Sequence, residues 1–351
     1  MHFLDDSLLP ENQQKLVIQV APYGPQWLPG DFPEDIPISF AEQVQKAVDC
    51  YNAGATVLHV HVREADGKGS KRLSKFNELL ARLRIAVPDM VLQVGGSISF
   101  APESEGDAAK WLSDDTRHML AELTPIPDQV TVTVNTAQMN ILEQMEPADY
   151  AGTSLAEPAM TEAFREMIVP AGPTWAEEHV KRLSAKGIQS AFQFYNINSF
   201  ETVERMIRRG VYKGPLVMNW VAIGGGMDAP TIYNLANFLR ATPDNAVVTL
   251  ESSMLNTLPV NMMAIAMGQH VRCGIEDNLW SQDRKSKMGT VKQIEQLVRI
   301  SREFGRDIAN GKEANKILQI GTFYDSIEET LAKNGFAPNR PGVRSFKQAA
   351  E

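Results

Sequence analysis

The chain has 351 residues, 43% hydrophobic and 22% charged, with a formal net charge of −9. That composition suits a globular protein with a sizeable core, and the acidic balance argues against nucleic acid or an anionic membrane as partner. Two cysteines cannot build a disulfide framework, no apolar run reaches the roughly 18 residues of a membrane span, and the N-terminus lacks the basic and apolar regions of a signal peptide, so a cytoplasmic protein is expected.

Along the chain, short β-branched runs alternate with amphipathic segments. Strands are expected at Leu16–Ala21, Thr56–His61, Met90–Val94, Gln129–Val134, Ser190–Tyr195, Leu216–Trp220, Ala246–Leu250 and His270–Gly274. Helices are expected between them, at about Ser39–Ala53, Leu73–Ala86, Asp107–Glu122, Thr174–Lys186, Ser199–Arg209, Ala229–Arg240, Leu258–Met267 and Val291–Phe304. The first opens on Ser39 and Glu42 in capping-box spacing and ends at Gly54; the last ends at Gly305. Strands alternating with helices in this way make a parallel α/β sheet, either closed as a (β/α)8 TIM barrel or open and doubly wound. A count of eight favours the barrel. The stretch from Thr136 to Gly172 is too long for a simple connection and is expected to hold an extra helix around Thr161–Ile168. After Asn310 the pattern reads as a helical C-terminal extension with a Pro-containing end. No linker marks a second domain, so one TIM-barrel domain is expected, with the barrel over about 16–306 and the extension over about 307–351.

The sharpest chemical signal is His59-Val60-His61, followed by Arg63, at the end of the second expected strand. Side chains alternate along a strand, so the two imidazoles share a face, and two imidazoles on a barrel's inner face suit a divalent metal. The competing reading is a hydrogen-bonded pair of core histidines. The second signal is Arg272-Cys273-Gly274-Ile275-Glu276-Asp277-Asn278 after the last strand. Glu276 fits a third metal ligand, Asp277 a general base, and Arg272 a partner for Asp277 or for a substrate carboxylate. The competing reading there is a surface Arg–Asp pair. Weaker signals are Gly224-Gly225-Gly226, Gly95-Gly96-Ser97 after the third strand, and Thr133 and Asn135 at the fourth, where backbone or side-chain donors can meet a ligand. His118, His179 and His270 read as structural.

The stretch from Ala53 to Glu64, with Asp66-Gly67 behind it, and the stretch from Gly268 to Asn278 together resemble the β-keto acid cleavage enzyme family, whose founding activity is 3-keto-5-aminohexanoate cleavage. The resemblance covers roughly residues 16–320. It implies a zinc-containing barrel that condenses a β-keto acid with acetyl-CoA to give acetoacetate and an acyl-CoA, and a homo-oligomer. By position, His59, His61 and Glu276 take the zinc-ligand roles, Arg272 and Asp277 the catalytic roles, and Thr133 a substrate-contacting role. The chain departs from the family where Gly95-Gly96-Ser97 stands for Ser-Thr-Gly-Gly. It departs again where Gln26 and Gln193 stand for two acids that meet the ammonium of the amino substrate, so a substrate without an ammonium group is expected. Other readings of the same residues are a different metal-dependent barrel lyase or hydrolase, and a non-catalytic sensor of CoA esters or keto acids.

Overall fold

The computed structural model describes residues 1, 3–95 and 117–341. Eight parallel strands close into a barrel: β1 (Ile18–Val20), β2 (Val57–Val60), β3 (Val91–Val94), β4 (Gln129–Thr133), β5 (Gln189–Phe194), β6 (Val217–Ala222), β7 (Val247–Ser252) and β8 (His270–Cys273). Each pairs with its neighbours in sequence, and β1 closes the ring against β8. The main helices are α1 (Phe40–Ala53), α2 (Leu73–Ala86), α3 (Pro173–Ala185), α4 (Asn198–Arg208), α5 (Ile232–Ala241), α6 (Thr257–Ala266), α7 (Thr290–Phe304), α8 (Gly311–Ile317) and α9 (Ile327–Lys333). The chain therefore forms the closed TIM barrel rather than the open sheet.

Alternation along the strands sorts the side chains. Ile18, Val20, Leu58, Val60, Leu92 and Val94 point outward into the large core that the helices cover. The inward positions stack in tiers, as expected of a barrel whose interior is filled by side chains. Val17, Val57, Val91, Val217 and Val247 form the bottom tier and pack on Ala309, Ala314 and Leu318, so α8 and its flanks plug the barrel floor. Gln19, Gln93, Gln129, Gln189 and Asn219 form a buried amide tier above it. Burying apolar surface is worth about 25 cal/mol per Å², whereas a buried amide must be hydrogen-bonded to avoid a penalty, and these amides bond to one another.

Local chemistry sets the element boundaries. Ser39 accepts from the Glu42 backbone N–H while Glu42 accepts from Ser39 N–H, and Gly54 ends α1 in the left-handed region. The helix expected from Ala229 begins instead at Ile232, because Thr231 caps it by accepting from Asn234 N–H. Of the helix expected at Asp107–Glu122, the described residues hold Arg117 and His118 in helix and a 3-10 turn at Met119–Glu122. The helix expected at Thr161–Ile168 spans Pro158–Arg165 instead, and Met167–Val169 is a strand paired antiparallel with Ala137–Met139. Met167 and Val169 are buried while Ile168 is 52% exposed, the period of two that a hairpin imposes and a helix does not. The excursion between β4 and α3 thus folds back over the barrel mouth. Asp31 anchors it by accepting from the Ser154 backbone N–H at 2.6 Å and from its hydroxyl at 2.5 Å. Gly225 and Gly226 lie under it, so close that a Cβ on Gly225 would fall 2.5 Å from Asn140 N. The glycine run after β6 therefore serves packing against this excursion.

Candidate active site

The C-terminal ends of the strands open into a cavity holding about 760 Å³ of empty space, including the part open to solvent. On its β8, β1 and β2 side lie Arg272, Glu276, Asp277, Gln26, His59 and His61. On the opposite side, Tyr195, Val221 and Ile223 are joined by Met139, Ile141, Phe164 and Met167 of the excursion. One pole is therefore charged and the other largely apolar.

His59 and His61 are both buried, on the inward face of β2 and just beyond it. Nε2 of His61 lies 3.3 Å from Glu276 Oε2, and Nε2 of His59 lies 3.7 Å from Glu276 Oε1. One ligand atom from each of the three residues falls within 4.8 Å of the others. Tetrahedral bonds of about 2.1 Å would set ligand atoms about 3.4 Å apart, so the spacing fits one small divalent ion. His61 Nε2 and Glu276 Oε2 face each other without the alignment of a hydrogen bond, and His61 Nδ1 is buried without a hydrogen-bond partner among the described residues. Orphaned polar atoms converging on one point are costly unless something occupies it. Gly95 leaves the room: a Cβ there would lie 2.3 Å from His59 Nε2 and 2.8 Å from His61 Cε1.

Arg272 organises the acids. Its Nε donates to Asp277 Oδ2 at 3.0 Å, and its Nη2 donates to Asp277 Oδ1 and to Glu276 Oε1, each at 2.9 Å. Its Nη1 stands 3.3 Å from Glu251 Oε1. Burial opposes the guanidinium charge, but Asp277, Glu251 and Glu276 outweigh it and hold its pKa well above the usual arginine value. Burial pushes the Asp277 carboxyl up to about 8, with Arg272 opposing and Glu251 reinforcing the rise. Glu276 is also buried, but His61, Arg272 and His59 more than offset this and hold its pKa below the ordinary carboxylate range. Burial first, and Arg272 second, lower His59 to about 3, which leaves its imidazole neutral. The geometry thus brings together a set of metal-type donors, a carboxylate suited to accept a proton, and a cation beside both.

Of the other residues singled out in the sequence, Gly95, Gln26 and Gln193 line the cavity. Thr133 pairs its hydroxyl with Tyr195 OH at 3.1 Å, and it is Thr131 that appears in the described wall. Asn135 accepts from the Thr202 hydroxyl at 3.0 Å, toward α4. Gly96 and Ser97 lie outside the described residues. Arg63 serves the frame: buried, it donates to the carbonyls of Gly67, Gly24 and Trp27 and so fixes the loop that carries Gln26. Sequence reading missed Glu251, at the end of β7, and the apolar pole supplied by the excursion.

A closed parallel barrel with its polar residues gathered at the C-terminal ends of the strands defines a TIM-barrel enzyme. The chain belongs to the β-keto acid cleavage enzyme family, whose sequence model matches residues 15–320. It is 25% identical to the 3-keto-5-aminohexanoate cleavage enzyme of Acetoanaerobium sticklandii, a match covering 88% of this chain and 99% of that one. It is 23% identical to the 3,5-dioxohexanoate:acetyl-CoA acetone transferase of Paraburkholderia graminis, over 88% of this chain and 96% of that one. Among solved structures, ObcA in its apo form superimposes with a TM-score of 0.58 at 12% identity, covering 82% of this chain and 66% of that one, a likeness of fold alone. Among the described residues, no helix is long and apolar enough to cross a membrane.

Proposed function

We propose that the protein is a zinc-dependent β-keto acid:acetyl-CoA exchange enzyme whose preferred keto acid lacks an ammonium group. The observation that carries this reading is the convergence of His59, His61 and Glu276 beside the Arg272–Asp277 pair in one cavity. Zinc bound by the three would act as a Lewis acid toward a keto acid's oxygens. Asp277 is placed to take the proton from the carbon between ketone and carboxylate, and to return it to the same carbon in acetoacetate. In the net exchange, the bond from that carbon to the original acyl group breaks and one to the acetyl carbon forms. The acyl group ends on the CoA sulfur that the acetyl group leaves. Arg272 holds the Asp277 carboxylate oriented and screens the negative charge that develops. The acetyl-CoA requirement is supported by the names of relatives such as the Paraburkholderia graminis transferase.

The substrate preference rests on charge. Gln26 and Gln193 present amides to the cavity, and Glu251, the additional acid among the described residues of its wall, is engaged by Arg272 and by Asn219 Nδ2 at 2.8 Å. A desolvated ammonium without a free acidic partner costs several kcal/mol. The test is a panel of β-keto acids with acetyl-CoA, read by the mass of the thioester product, with kcat/KM compared for amino and non-amino acids of equal length. The non-amino acid is expected to be favoured. A tenfold preference for the amino compound overturns the specificity, and no acyl-CoA from any β-keto acid overturns the activity.

A further inference from the structure

The amide tier beneath the metal-type site has a direction. Carbonyl oxygens accept hydrogen bonds and never donate them, so their partners must be donors. At one end of the tier, the carbonyls of Leu318 and Gln319, beside the barrel floor, lie 3.0 and 3.2 Å from the Gln189 side-chain nitrogen. Gln189 must therefore turn its NH2 toward them and its oxygen toward Gln129, whose NH2 donates to it at 2.6 Å. The oxygen of Gln129 then faces Gln93, whose NH2 donates to it at 2.9 Å. At the other end, Glu251 is an acid that accepts from Asn219 Nδ2 at 2.8 Å. The same nitrogen lies 3.4 Å from Gln19 Oε1, which turns the NH2 of Gln19 toward Gln93 Oε1 at 3.0 Å. Both ends dictate the same orientation for Gln93. Its oxygen points at His59 Nδ1, 2.8 Å away.

We infer that this amide tier locks His59 in the tautomer protonated at Nδ1, with the Nε2 lone pair turned toward His61 and Glu276, and that Gln93 is the positioning residue that transmits the lock. An oxygen already accepting from Gln19 can take a second donor, and His59 Nδ1–H supplies it. Flipping the Gln93 amide would set its NH2 against that of Gln19 and its oxygen against that of Gln129, so the orientation is fixed from both sides. Hydrogen bonds to the far nitrogen of a metal-binding histidine typically change metal affinity about 10–100-fold. The carbonyls of Leu318 and Gln319 thus reach the site through three glutamines.

The inference depends on the proposed zinc site only for its affinity consequence, because the tautomer exists without metal. The experiment is 15N spectroscopy of the metal-free protein labelled at histidine, with the His59 signals assigned by their loss in His59→Asn. The wild type is expected to show His59 protonated at Nδ1 and bare at Nε2. In Gln93→Met that tautomer should give way to a mixture, and zinc affinity, read by competition with a chromophoric chelator, should fall about 10–100-fold. Gln93→Glu should keep the tautomer and bind zinc more tightly than Gln93→Met, since a carboxylate still accepts from Nδ1–H. A merely structural glutamine predicts the reverse order, because burying a charge harms the fold more than burying a thioether. Gln189→Met, far from the ligands, should weaken zinc by a smaller factor of the same sign. His59 protonated at Nε2 in the wild type overturns the inference, as does zinc affinity within threefold of wild type in Gln93→Met. If Gln93→Met does not fold, the wild-type spectrum and Gln189→Met decide. If the wild type takes up no zinc, the proposed function fails while the tautomer still tests this inference.

Discussion

Gly95→Ala places one methyl group where the site has no room for it. The added carbon would meet His59 Nε2 at 2.3 Å, His59 Cε1 at 2.6 Å and His61 Cε1 at 2.8 Å. Ordinary contact begins near 3.4 Å, so the His59 ring must retreat by about 1 Å. Metal–ligand distances tolerate only about ±0.2 Å, and a displacement of about 1 Å in a catalytic group can cost 10²-fold in rate. His59 is held from behind by Gln93 and cannot recede freely. The expected outcome is a folded protein with zinc affinity lowered at least tenfold and turnover lowered about 10²-fold. Chelator competition measures the first and the thioester assay the second, with circular dichroism as the check on folding. A variant that binds zinc and turns over within threefold of wild type would refute the claim that this glycine makes space for the ligand histidines.

Asp277→Asn keeps the shape of the side chain and removes its basic oxygen, so it should fold, retain zinc and lose about 10²–10⁴ in kcat. A loss below about tenfold would put the base elsewhere. A separate outcome concerns acid stability. His270 Nδ1 accepts from Val17 N–H at 3.2 Å, and burial, with Arg306 assisting, lowers its pKa to about 3. The unfolded imidazole titrates near 6.5, so the unfolded state binds more protons between pH ~6.5 and ~3. The stabilisation is therefore full above pH ~6.5 and is lost as pH falls toward 3, at up to about 1.4 kcal/mol per pH unit. Urea unfolding of His270→Gln at pH 7, 6 and 5 should show a shallower acid slope than the wild type. Equal slopes would show that this histidine is not held neutral.

Much of this was legible in the sequence because period-two alternation and helix caps are local signals. The strand cores were found, and the barrel followed from their number. His59 and His61 were readable as one face of a strand, and Arg272, Glu276 and Asp277 as charges too dense to sit idle after a strand. What escaped depends on contacts distant in sequence. Glu251 was cut from β7 because Glu-Ser-Ser reads as the start of a loop, although at a barrel mouth polar strand ends are where ligands bind. The helix expected at Thr161–Ile168 takes in Met167 and Ile168, since so short a strand carries no period until a partner strand pairs with it. The amide tier left a faint mark: Gln19 and Gln93 each sit between apolar neighbours in a strand core, and Gln129 and Gln189 each open one. A single buried glutamine says little; its recurrence at the inward position of several strands was the available sign.

The ring closes where the first strand meets the last, and the first strand is the shortest of the eight. β1 contributes three residues, two of them registered against β2 and three against β8, whereas β6 and β7 share six. His59 and His61 stand at one side of β1, and Glu276 stands at the other, just past β8. Their contacts reach over the top of this shortest strand, and Glu276 N–H donates to the Ala21 carbonyl directly beyond β1. An ion held by the three would act as a clasp, fastening segments more than two hundred residues apart in the chain across the shortest strand of the ring. Occupancy of the proposed site and the integrity of the barrel wall would then be tied together at one place.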